Sequence, residues 1–147
     1  MPHAFYPGRE WLDTSGKPIQ AHGGSILTVD GIYYWYGENK EKTDGKNGIW
    51  HWGVRCYRSR DLYNWEDCGL IIPPDETDEQ SPLHPASMMD RPHILYNART
   101  KKYVCWLKIM EKKRRADRNG TDRGRSAGTV YHRLQGAASA GHERGGF

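Results

Sequence analysis

Gln20, His22, Glu38 and Asp90 are the side chains of this sequence best placed to do chemistry, because each stands beside an apolar, strand-like segment. Carboxyl and imidazole groups accept and donate protons and grip polar ligands. His22 precedes Gly23-Gly24, where missing side chains let a ligand come close to the backbone. A hydrogen-bonded structural histidine is the plainer alternative. Glu38 ends the run Tyr33-Tyr34-Trp35-Tyr36-Gly37, either entering a pocket or standing as a solvated acid at a strand end. Asp90 precedes Arg91-Pro92, and either faces a pocket or initiates a turn. Gln20 is placed to hold a water or a ligand hydroxyl. Trp50 and Trp52 group with Trp35 and Tyr36 as an aromatic cluster, whose rings serve either as core or as a stacking platform for a ligand.

The elements that position these groups are repeated. His22 to Tyr36 and Asp90 to Trp106 each read as an apolar strand, a turn and an aromatic strand. Ile26-Leu27 falls on Ile94-Leu95, which puts His22 on Asp90; two extra residues in the second turn bring Tyr33 onto Tyr103. Repetition on this scale marks stacked or radial architectures such as propellers. Equivalent residues at the start of each unit would then face a common central cavity.

The rest of the chain supports an all-β reading. Asp30-Gly31 between Ser25–Val29 and Ile32–Tyr36 is the strongest short hairpin signal there is. Residues 52–58 alternate as a third strand, residues 59–65 form a compact turn closed by Asp61, and residues 69–72 lead into a fourth. Residues 22–73 thus make one blade. Residues 73–87 form a long polar connection, and residues 88–110 open a second blade with strands at 91–96 and 102–109. Residues 1–20 are loop-like. Six Trp and nine Tyr suit pleated, half-buried surfaces, and none of the Trp lies beyond Trp106.

Charge separates the end of the chain from its body. The net charge is +4, yet residues 111–147 hold nine Lys/Arg against four Asp/Glu, which leaves the remainder at −1. With seven Gly and few apolar residues, that stretch cannot bury enough surface to offset ordering entropy, and it reads as a disordered basic tail or an out-of-frame translation. The run Lys112-Lys113-Arg114-Arg115 has the electrostatics to attract phosphates but no aromatic interleaving, so specific nucleic-acid recognition is not expected. Cys56, Cys68 and Cys105 have no metal-ligand spacing and read as reduced, buried thiols; no cofactor or metal is called for. No apolar run marks a secretory signal or a membrane span. The location expected by default is therefore the cytoplasm, or the periplasm or exterior if the true N-terminus is missing.

Four motifs carry a resemblance. Ile19-Gln-Ala-His-Gly-Gly24, Tyr33-Tyr-Trp-Tyr-Gly-Glu-Asn39, Ser59-Arg-Asp-Leu-Tyr-Asn-Trp65 and Asp90-Arg-Pro-His-Ile-Leu-Tyr-Asn97 resemble glycoside hydrolase family 43, in the branch of exo-β-1,3-galactanases and related galactosidases. The resemblance covers about residues 11–110. It implies an N-terminal fragment, about one and a half blades, of a five-bladed propeller that hydrolyses glycosidic bonds with inversion. It also implies that Glu38, Asp90, His22 and Gln20 line the sugar pocket, with Trp50 or Trp52 as a platform for the C–H face of the sugar. Much of the family carries a base Asp where this chain reads Gln20-Ala21-His22; the galactanase-like branch is similar in lacking it. Many relatives have Glu at the place of Asp90. The general acid in such enzymes comes from later blades, so the expectation is a carbohydrate-binding fragment of a hydrolase of β-galactosides, inactive alone. Two other readings stand beside it: a carbohydrate-binding protein without chemistry, and a nucleic-acid-associated protein acting through its basic tail.

Overall fold

A computed structural model of the chain describes residues 4–110. The expected basic tail at residues 111–147 lies outside those residues. Six strands follow in order: β1 (His22–Val29), β2 (Ile32–Glu38), β3 (Val54–Ser59), β4 (Glu66–Ile72), β5 (Met88–Asn97) and β6 (Lys102–Met110). The first four form one antiparallel sheet in sequential order, and the last two form a second hairpin. This is one complete propeller blade and the opening half of another.

Local chemistry explains each hairpin. Asp30 and Gly31 take φ of 49° and 74°, so both central turn residues are left-handed and the turn matches the twist of its strands. In the second hairpin Asn97 Oδ1 accepts the N–H groups of Arg99 and Thr100 at 3.1 and 3.0 Å, closing a longer turn. Between β3 and β4, Asp61 Oδ1 accepts the N–H groups of Tyr63 and Asn64, and these bonds hold its carboxyl well below the usual range. Strand β4 begins at Glu66, earlier than the sequence pattern suggests, because Arg58 grips Glu66 and Arg55 grips Asp67 across the ladder.

Two apolar layers flank the first sheet. On one face Tyr36, Val54, Cys56 and Ile72 pack against Met89, Ile94, Cys105 and Leu107 of the second hairpin. On the other, Ala21, Tyr57 and Trp65 are buried with Trp35, Ile19 and Leu62. Burying both faces is what stacked blades do, and β5 packs directly against β1 and β2. Strand β6 pairs on its outer edge with no other strand among the described residues.

Candidate functional site

The site begins with a bulge that occurs twice. His22 pairs with Glu38 and Ser25 with Tyr36, so β1 has one residue more than β2 over that step. Asp90 pairs with Lys108 and His93 with Trp106, the same irregularity at the matching place. The extra residue is left-handed in both, Gly23 at φ 56° and Arg91 at φ 51°. Such bulges re-aim side chains next to them. Each one here supports a polar pair across the strands: His22 Nδ1 lies 3.5 Å from Glu38 Oε2, and Lys108 Nζ lies 3.9 Å from Asp90 Oδ2. The acid stands on the second strand of blade one and on the first strand of blade two.

Glu38 joins the two blades. Its Oε1 accepts the Arg91 N–H at 2.9 Å, and its Oε2 lies 2.9 Å from Lys40 Nζ. Only 1% of its side chain is exposed, whereas Lys40 is 23% and His22 69% exposed. Glu38 therefore sits one layer beneath the surface that His22 and Lys40 present. The ammonium is close to Oε2 but not aligned to hydrogen-bond it, so a buried acceptor remains without a donor among the described residues. Gly23 has to be small here, because a Cβ would stand 3.0 Å from Glu38 Oε1. Nearby, Tyr36 Oη accepts the Ile94 N–H at 2.9 Å and adds a second bond across the seam.

Asp90 is held from the loop between β2 and β3. Trp50 Nε1 lies 3.1 Å from Asp90 Oδ1 and 3.2 Å from the Met89 carbonyl, so its N–H is shared between them. Lys40 Nζ lies 4.5 Å from the Trp50 ring centre, a cation–π distance, and also donates to the Trp50 carbonyl. The loop is closed at its stem by Asn39, whose N–H and C=O pair with Gly53 and Trp52. It is tied to the long connection by the N–H groups of Trp50 and His51, which both donate to the Pro85 carbonyl at 2.7 and 3.2 Å.

Four of the expected residues thus come together: His22, Glu38, Trp50 and Asp90. Gln20 lies at the margin, where its Oε1 accepts the Lys40 N–H at 3.3 Å and its own N–H donates to Tyr57 Oη. Trp52 is held elsewhere, with Lys42 Nζ 3.4 Å from its ring centre. The expected aromatic cluster is corrected: Trp35 packs edge-on to Trp11 and Trp65, while Tyr36 faces the blade seam. Successive strand residues point to opposite faces, which separates the two rings. The sequence reading missed Lys40, the Arg91 backbone and His51. Lys40 has a signal in hindsight, since it falls two residues after Glu38, but the other two act through contacts distant in sequence. Among the described residues no cluster of three or more His, Cys, Asp or Glu is arranged to hold a metal ion.

A four-stranded blade followed by half of another is the opening of a β-propeller, with the candidate site at the seam of the two blades. Three solved structures match this fold. A family 43 β-1,3-galactosidase with galactodeoxynojirimycin is 38% identical, with TM-score 0.62 over 74% of this chain and 30% of that one. An exo-β-1,3-galactanase from Clostridium thermocellum is 35% identical, with TM-score 0.60 over 74% of this chain and 22% of that one. The exo-β-1,3-galactanase from Phanerochaete chrysosporium, with galactose, is 32% identical, with TM-score 0.60 over 69% of this chain and 22% of that one. No protein-family model and no curated protein matches the sequence. The chain belongs to glycoside hydrolase family 43, in the exo-β-1,3-galactanase and β-1,3-galactosidase branch. It spans less than a third of the length of each of these three structures.

Proposed function

We propose that the described residues form one wall of the terminal-galactose pocket of an exo-acting, inverting β-1,3-galactoside hydrolase, and that this chain alone binds the sugar without cleaving it. The observation that carries this reading is the pair of acid–base couples at equivalent bulges, His22–Glu38 and Asp90–Lys108, meeting at the blade seam. Sugar hydroxyls need a mixture of donors and acceptors, which His22, Asp90 and Lys40 offer at the surface. Glu38 supplies the acceptor beneath them, where Oε2 lacks an aligned donor. The Trp50 ring, with Lys40 Nζ 4.5 Å from its centre, flanks the same place. Galactose bound to one relative and galactodeoxynojirimycin bound to another support that ligand class.

Inversion needs a carboxylic acid and a base with carboxyl groups roughly 6.5–9.5 Å apart on either side of the scissile bond. In this proposal Asp90 and Glu38 hold the sugar, and the acid comes from later blades, in keeping with the small share of each relative that the chain spans. The test is a galactose titration of the full chain followed by tryptophan fluorescence, beside product analysis on β-1,3-linked galactobiose. Saturable quenching, lost in His22→Ala and Asp90→Ala, with no galactose released, is the expected result. Release of galactose would show that the acid lies within this chain, and a flat titration would remove the pocket altogether.

A further inference from the structure

The three cysteines are not equivalent. Cys56 on β3 and Cys105 on β6 are buried, and burial pushes the Cys105 thiol up to about 12. Cys68 on β4 is exposed. The register of β3 and β4 decides what Cys68 can reach. Cys56 pairs with Gly69, and the next residue, Tyr57, pairs with Asp67, so Cys68 is an inserted residue that shares its place opposite Cys56 with Gly69. Gly69 is left-handed at φ 80° and has no side chain to fill that place. The Cys68 thiol, which donates to the Glu66 carbonyl, is near enough to the Cys56 thiol, which donates to the Tyr57 carbonyl, for each to perturb the other. Cα atoms of paired residues on antiparallel strands stand about 4.5–5.5 Å apart, so Cys68, next in chain to the Gly69 that pairs with Cys56, is a near neighbour of Cys56 across the ladder.

We propose that Cys56 and Cys68 are an oxidisable pair that closes to a disulfide between β3 and β4 on exposure to a small disulfide oxidant. The exposed sulfur is the entry point. The Cys68 thiolate attacks one sulfur of a disulfide such as oxidised glutathione, breaking its S–S bond and releasing one glutathione thiolate. The Cys56 sulfur then displaces the second glutathione from Cys68, forming the Cys56–Cys68 bond, and the Cys56 proton leaves on glutathione. Two protein thiols are oxidised and one oxidised glutathione is reduced to two thiols. The polarity of the pair suits this order: contact with Cys56, helped by Arg58, lowers the Cys68 thiol below its ordinary value, and contact with Cys68 followed by burial raises Cys56. Strand β4 is the outer strand of the first blade, so the bond would pin its sheet edge at the bulge.

The experiment treats the full chain with oxidised glutathione, blocks remaining thiols with iodoacetamide in denaturant, and maps the peptides by mass spectrometry. The expected product is lighter by two hydrogens before alkylation, with Cys56 and Cys68 cross-linked and Cys105 alkylated. Closure should be at least about tenfold faster in native buffer than in urea, because the fold holds the sulfurs together. Cys105→Ser should keep the cross-link, and Cys68→Ser should abolish it. A stable glutathione adduct on Cys68 with Cys56 still alkylated would overturn the proposal. So would equal rates with and without urea, or pairing that includes Cys105.

Discussion

Acid should loosen the loop that carries Trp50, and the amount can be worked out from His51. That side chain is fully buried, and its Nδ1 accepts the Gly53 N–H at 2.9 Å, so the neutral ring carries its proton on Nε2. Burial, then the charge of Lys40, lowers its pKa from 6.5 to about 4; His84 and Asp90 are the other titratable groups that face it. A depressed histidine pKa means the fold favours the neutral ring. The stabilisation is complete above the unfolded value of 6.5 and is lost as pH falls toward about 4. At about 1.4 kcal/mol per unit, linkage predicts a loss of about 2 kcal/mol at pH 5 and about 3 kcal/mol at pH 4.

The assay compares urea unfolding of the full chain with that of His51→Asn at about pH 7.5 and pH 5. Asparagine can offer its amide oxygen to the Gly53 N–H without titrating in this range. Between the two pH values the native chain should lose about 2 kcal/mol more than the variant. Carboxylates such as Asp13 and Asp67 have lowered pKa values, so the stability they contribute is lost below the window of the test. Parallel losses would refute the reasoning, because they would mean that the His51 ring accepts a proton without cost to the fold.

Other consequences follow from the seam. Glu38→Ala removes the acceptor of the Arg91 N–H and the partner of Lys40 and should cost about 3–5 kcal/mol in urea unfolding. Glu38→Gln keeps that acceptor and should cost less than half as much; equal losses would show that the bond to Arg91 is not what Glu38 supplies. Tyr36→Phe leaves the buried Ile94 N–H without an acceptor, for about 1–3 kcal/mol and faster hydrogen exchange at that amide. Gly37→Ala places a Cβ on the Ala21 backbone, which no rotamer change relieves, at about 2–3 kcal/mol. Gly31→Ala, left-handed but in open space, should cost only about 1–2 kcal/mol, and a larger loss there than at Gly37 would reverse the ranking.

What could be read from the sequence was local. Asp30-Gly31 announces its hairpin because two adjacent left-handed residues need that chemistry. The equivalence of His22 and Asp90 was visible as a repeat, and the matching bulges support it. Glu38, Asp90 and Trp50 were named as candidates, but their partners were not. The Arg91 N–H reaches Glu38 across more than fifty residues, and Trp50 reaches Asp90 across forty. His51 was not singled out, because its burial depends on how the Pro85 carbonyl holds the loop. Trp35 was grouped with the wrong rings for a related reason. Proximity in sequence says little about which side of a blade an aromatic residue faces.

The repeat also explains how two acids share one seam. The couple is reversed between the two blades, with the base on the first strand of blade one and on the second strand of blade two, so the two acids stand on different strands of the seam. Glu38 is then met by a main-chain N–H and by Lys40, and Asp90 by an indole N–H and Lys108. If the proposed pocket is right, the contacts that hold blade against blade also set out its donors and acceptors, and a substitution that loosens the seam should weaken galactose binding even where it touches no part of the pocket surface.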